Sequence, residues 1–119
     1  MSDLSQTQVV LIIFAMPGCP ACEDYMPRFE RQVVGFQRFG APFVYHRARR
    51  AIPRGAIPIA IYDATSDDQE LQALADQYGV TGMPTTMLVT RYQGMQKHEG
   101  TLDDDEIYRL LMAAAQANR

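Results

Sequence analysis

The spacing of apolar positions changes period several times along the chain, and each change marks an element. Val9 to Ala15 (VVLIIFA) is an unbroken β-branched and aliphatic run, the pattern of a strand covered on both faces in a parallel or mixed sheet. Pro17-Gly18 breaks it. From Pro20 onward Tyr25, Phe29, Val33 and Phe36 recur at helical spacing, with Glu23, Glu30, Arg31 and Gln37 between them, which predicts a helix with one apolar face. Pro20 suits a first helical turn, where its missing N–H costs nothing, and this places Cys19 at the helix cap.

Ile57 to Tyr62 (IPIAIY) reads as a second short strand, with Pro58 pushing toward a strand start. Ser66-Asp67-Asp68-Gln69-Glu70 then supplies capping residues, and Leu71, Leu74, Ala75 and Tyr78 form a helical face that stops at Gly79. Thr85 to Thr90 (TTMLVT) predicts a strand, Tyr92-Gln93-Gly94 a hairpin turn, and Met95 to Glu99 an exposed return strand. Asp103 with Glu106 makes a capping box ahead of Ile107, Leu110, Leu111 and Ala114, the stripe of a last helix. Strand, helix, strand, helix, strand, strand, helix implies a three-layer α/β domain whose mixed central sheet has about four strands. Between Phe39 and Ala56 the pattern is ambiguous: Phe43-Val44-Tyr45 fits a strand, and the segment equally fits an inserted loop.

Length and composition narrow this picture. At 119 residues the chain suits one domain, 1–119, with a possible insertion at 39–56. A net charge of -3 gives no positive field to draw it to nucleic acid or an anionic membrane. The longest apolar stretch, Val9 to Met16, is far short of the roughly 20 residues that span a bilayer. No basic residue stands between Met1 and that run, so no secretory leader is expected and the chain as given is expected to be cytoplasmic.

The chemistry lies in MPGCPACEDYMP, which holds the only two cysteines, Cys19 and Cys22. A bridge over so short a gap closes almost no loop, so stapling is not its purpose, and in a reducing compartment such a pair is catalytic or metal-binding. Zinc needs four ligands, and His46 and His98, the only histidines, lack finger-like spacing; no metal is expected, and each histidine reads as a surface residue. A thiol at a helix N-terminus meets unpaired N–H groups and the positive end of the helix dipole, which favours thiolate. Cys19 is therefore the expected nucleophile, exposed by its cap position and the Pro-Gly break, with Cys22 one turn further in and placed to resolve a mixed disulfide. The Cys19-Cys22 disulfide would itself be the redox group, with no cofactor.

These residues resemble the thioredoxin superfamily over about Val9 to Met112. VVLIIFAMPGCPAC is similar to that family's first long strand and active-site turn, and Pro27 matches the proline that kinks its active-site helix. YGVTGMPTTMLV is similar to the segment carrying the family's cis-proline, and GTLDDDEIYRLL resembles its closing loop and helix. The resemblance implies catalytic Cys19 and Cys22, and substrate contacts at Gly18, Pro20, Ala21, Met83, Pro84 and Thr85. A cis Pro84 would pack on Cys19, block metal access and leave the Met83 backbone free to pair with an extended substrate; the plainer reading is a trans proline that starts a strand.

Departures from the family pattern matter as much. Gly18 stands where thioredoxins usually carry Trp, and Pro20-Ala21 replaces Gly-Pro. The family's buried acid and its lysine partner fall near Ile13 and Ile59, so neither ionisable group is present and Cys22 must lose its proton to water or another group. The implied activity is reduction of protein disulfides by a monomer, recycled by a thioredoxin reductase or glutathione. A glutaredoxin-like enzyme is the nearest rival, though the glycine pair and acid that hold glutathione are not visible in TTMLVTRYQG after Pro84. An adaptor using the groove or Arg47, Arg49, Arg50 and Arg54 is the alternative from another class; those arginines also fit a solvated insertion. Met16, Met26 and Met83 fit either an adaptable docking surface or ordinary packing.

Overall fold

In the computed structural model, which describes residues 7–46 and 51–118, the apolar run becomes the central strand β1 (Val9–Ala15) of a five-stranded sheet. After it come α1 (Pro20–Arg38), β2 (Phe43–Tyr45), β3 (Ile57–Asp63), α2 (Gln69–Gln77), β4 (Thr85–Thr90), β5 (Gly94–Glu99) and α3 (Asp104–Ala117). The sheet order is β2-β3-β1-β4-β5, with β2, β3 and β1 mutually parallel; β4 runs antiparallel to β1, and β5 antiparallel to β4. The sheet thus has five strands rather than about four. The extra one is β2, which the ambiguous segment supplies and which lies along Ile57–Ile59 of β3. Three residues are too few for a period to show in sequence.

Successive strand residues face opposite sides of a sheet, and this accounts for the unbroken apolar run of β1. Val9, Leu11 and Ile13 pack with Tyr25, Phe29 and Val33 of α1 and with Ile107, Leu111 and Ala114 of α3. Val10, Ile12 and Phe14 pack with Ala60 and Met87, against which Leu74, Ala75 and Tyr78 of the α2 region lie. Each fully buried aliphatic or aromatic side chain is worth about 1.5–3 kcal/mol, so the two clusters make β1 the strand around which the layers assemble. Among the described residues, no helix is long and apolar enough to cross a membrane.

Pro58 lies inside β3 rather than at an edge, between two neighbouring strands. The β1–β3 ladder begins at Leu11↔Ile59, just past it, and Ile57 donates its N–H to the carbonyl of Pro42 on the other side. The missing donor therefore falls where no ladder bond to β1 has started. At the helix ends, Asp68 accepts from the Glu70 N–H at 2.8 Å, and Asp103 and Glu106 close a full capping box.

One buried polar contact ties helix to sheet. The Tyr25 hydroxyl on α1 and the Thr86 hydroxyl on β4 are 2.8 Å apart, with both residues wholly buried. Tyr25→Phe leaves the Thr86 oxygen without that partner and is expected to lower unfolding free energy by about 1–3 kcal/mol. The exposed capping change Asp103→Ala is expected to cost about 1 kcal/mol. Urea unfolding reads both, and an unchanged Tyr25→Phe midpoint would show that the hydroxyl pair contributes nothing.

Candidate active site

The site begins where β1 runs out of sheet. Ala15 ends the strand opposite Asp63 in the β1–β3 register, and Met16, Pro17 and Gly18 carry the chain out to solvent. Gly18 has φ 73°, in the left-handed region where a side chain brings strain; this is a local reason for Gly where thioredoxins usually carry Trp. Cys19 is then the N-cap of α1, with Pro20 at the start of the helix.

The Cys22 backbone N–H donates to the Cys19 Sγ at 3.1 Å. A capping side chain normally supplies oxygen for this bond; here a sulfur takes the place, so one of the helix's open donors and the positive end of its dipole face it. Both cysteines are free thiols. They are more enclosed than the sequence suggests: Cys19 is 6% exposed and Cys22 3%. The cap geometry draws the Cys19 sulfur over the first helical turn, and Cys22 lies on the buried face of α1 with Tyr25, Phe29 and Val33. Burial pushes the Cys22 thiol above its ordinary value, and the hydrogen bond with Cys19 adds to the rise.

Ile13 and Ile59, at the positions where thioredoxins carry their acid and lysine, are fully buried in the apolar cluster that holds Tyr25 and Phe29 of α1, and Ile13 sits opposite Ile61 in the β1–β3 register. Pro27 lies inside α1 on its exposed side.

Across the β1–β4 ladder Phe14 pairs with Thr85, which brings Met83 and Pro84 to the end of the sheet where Met16 to Cys19 emerge. The Met83-Pro84 peptide bond is cis. Pro84 is buried and its carbonyl accepts from the Gly100 N–H at 2.8 Å. Thr85, fully buried, donates its hydroxyl to the Gly82 carbonyl at 2.6 Å. Gly18, Pro20 and Ala21 are exposed around the cysteines, and Met83 is half-buried against the second core cluster.

Beside Cys22 lies a cleft of about 500 Å³ whose walls include Met16, Glu23, Met26, Ile61, Tyr62 and Asp63. Met16 and Met26 thus share one surface, and Met83 is not among its walls. Tyr62 packs against Phe14 with ring centroids 5.6 Å apart. The Thr65 hydroxyl and N–H both donate to the Asp63 carboxylate, at 2.6 and 2.8 Å, and hold its pKa below the ordinary value. Glu23, Tyr62 and Asp63 were not candidates from sequence. The available signals were the position of Glu23 directly after Cys22 and of Asp63 at the end of a strand pairing with β1. His46 is half-buried at the end of β2 with its Nδ1 shielded and unpaired among the described residues, and His98 lies opposite Thr86 on β5. Arg54 is exposed, while Arg47, Arg49 and Arg50 lie outside the described residues.

No protein-family model matches the chain. Bovine protein disulfide-isomerase A4 is 26% identical over 115 residues, covering 97% of this chain and 15% of that protein, so the chain spans only a small part of its relative. Among solved structures, a mutant thioredoxin from Halobacterium salinarum aligns with a TM-score of 0.61 at 24% identity, over 93% of this chain and 78% of that one. Chloroplastic thioredoxin z aligns with a TM-score of 0.60 at 16% identity, over 94% and 82%. The chain has the thioredoxin fold, with Cys19 and Cys22 in a C-x-x-C spacing where the helix after β1 begins.

Proposed function

We propose that this protein is a thiol-disulfide oxidoreductase that reduces protein disulfides through Cys19 and Cys22. The observation that carries the reading is the 3.1 Å bond from the Cys22 N–H to the Cys19 sulfur at the helix N-cap, which presents positive partial charge to the atom that would attack. The thioredoxin fold and the protein disulfide-isomerase relative support the same chemistry.

Cys19 as thiolate attacks one sulfur of a substrate disulfide; the substrate S–S bond breaks, one substrate thiolate leaves and takes a proton, and a Cys19–substrate disulfide forms. Cys22 then gives its proton to water and attacks the Cys19 sulfur. The mixed disulfide breaks, the second substrate thiol is released, and Cys19-Cys22 closes as a disulfide. Two electrons pass to the substrate, and an external dithiol reductase or glutathione returns them. With isoleucine at 13 and 59, both fully buried, neither an acid nor a lysine at those positions assists the second step, and the raised Cys22 thiol makes resolution the pH-sensitive one. Pro84 and Met83 form the wall along which an extended substrate segment would lie.

Two outcomes are expected. Cys22→Ser accumulates a mixed disulfide at Cys19 when the reduced protein meets oxidised insulin, seen as a mass adduct lost with dithiothreitol, while Cys19→Ser forms none and reduces no insulin. Wild-type turnover by either variant would contradict the assignment. In the reduced wild type, early alkylation of Cys22 by iodoacetamide is slower at pH 8 than that of free cysteine and climbs at a higher pH, because burial disfavours the reactive thiolate. Equal rates at pH 8 would contradict the buried resolving thiol.

A further inference from the structure

The cleft beside Cys22 combines two kinds of wall. Its apolar walls include the aliphatic and thioether side chains of Met16, Met26 and Ile61, while its charged groups are both carboxylates, Glu23 from the first turn of α1 and Asp63 from the end of β3. These acids come from opposite sides: Asp63 stands against Ala15 through the β1–β3 register, and Glu23 follows Cys22 on the helix. Pro27, also in the wall, has no N–H to give the Glu23 carbonyl, which leaves an acceptor on the same side.

No cation neutralises this pair among the described residues. Arg28, the nearest basic residue along α1, is taken up by Asp24 at 3.1 Å and Asp104 at 3.2 Å. Lys97 is held by Glu99 and by the carbonyls of Tyr78 and Gly79. Asp63 stays ionised through its bonds from Thr65, and Glu23 has no ion-pair partner among the described residues. A ligand matching this cleft has a flexible aliphatic stem to lie on methionine and isoleucine and a cationic head to sit between two carboxylates. Lysine and arginine side chains have that shape. Met16 and Pro17, which line the cleft, immediately precede Gly18 and Cys19, so it would receive a side chain close in sequence to the cysteine under attack.

Resting on the thiol-disulfide reading above, we infer that this cleft selects disulfide substrates with a lysine or arginine beside the reactive cysteine, with Glu23 and Asp63 receiving the cation and Met16, Met26 and Ile61 its stem. The same charges disfavour substrates flanked by acidic residues.

The test uses the reduced full chain and two disulfide-linked peptides of equal length, one with Lys and one with Glu beside the cysteine. Single-turnover rate constants are each divided by the rate with dithiothreitol, which removes the peptides' own difference in reactivity. At about 0.01 M salt, where charges act over about 30 Å, the Lys peptide is expected to react about tenfold faster. At about 1 M salt, with screening at about 3 Å, the ratio falls toward one. Glu23→Gln/Asp63→Asn, which keeps side-chain size and the acceptor facing Thr65, brings it toward one at low salt as well. Equal rates for the two peptides, or a preference that survives the double substitution, would overturn the inference while leaving the redox reading intact. If neither peptide oxidises the Cys19/Cys22 pair, the redox reading itself fails and takes the inference with it.

Discussion

The structure depends on burying β1 from both sides. Its odd residues complete the core formed with α1 and α3, and its even residues complete the one toward α2, so the strand can neither slip by one residue nor swap faces without exposing a whole row of apolar side chains. That fixes where the strand stops. Because it stops at Ala15, with Gly18 supplying the left-handed turn, the chain enters α1 with a cysteine at the cap. The reactive sulfur is thus positioned by the packing of a strand that precedes it in the chain.

The same constraint shapes the chemistry around Cys22. Ile13 belongs to the row that faces α1, and an ionisable residue there would have to give up its hydration inside the apolar cluster. Filling that position with isoleucine favours packing and leaves the resolving thiol in apolar surroundings, its proton held more tightly than usual. Polar groups appear instead at the rim, on the exposed Glu23 and Asp63, where they face water rather than the thiol's own core.

Much of this was legible in the sequence, for physical reasons that differ by element. β1, α1 and α3 carry apolar periods long enough to read, and the caps at Asp68 and Asp103 name their own geometry. The C-x-x-C pair and the segment around Pro84 were recognisable as thioredoxin-like, and the structure brings them to one end of the sheet. β2 was legible only as one of two readings of its segment, because Phe43–Tyr45 is held by its pairing with β3 rather than by any pattern of its own. The enclosure of Cys19 and Cys22 was missed because a cap sequence does not say which way its side chain turns. The cleft was missed because it joins Glu23 to Asp63 through a strand register, which is a long-range fact.

The central claim is that Cys19 and Cys22 act as one two-electron couple. Its most direct measurement is the thiol-disulfide equilibrium of the pair across a glutathione redox series, read by mass after alkylation in the folded protein. The account predicts a single reversible two-electron transition at a reducing potential, converted in Cys22→Ser to formation of a glutathione adduct alone. No transition, or thiols that resist alkylation until the chain is unfolded, would contradict it and leave two inert cysteines in a packed core.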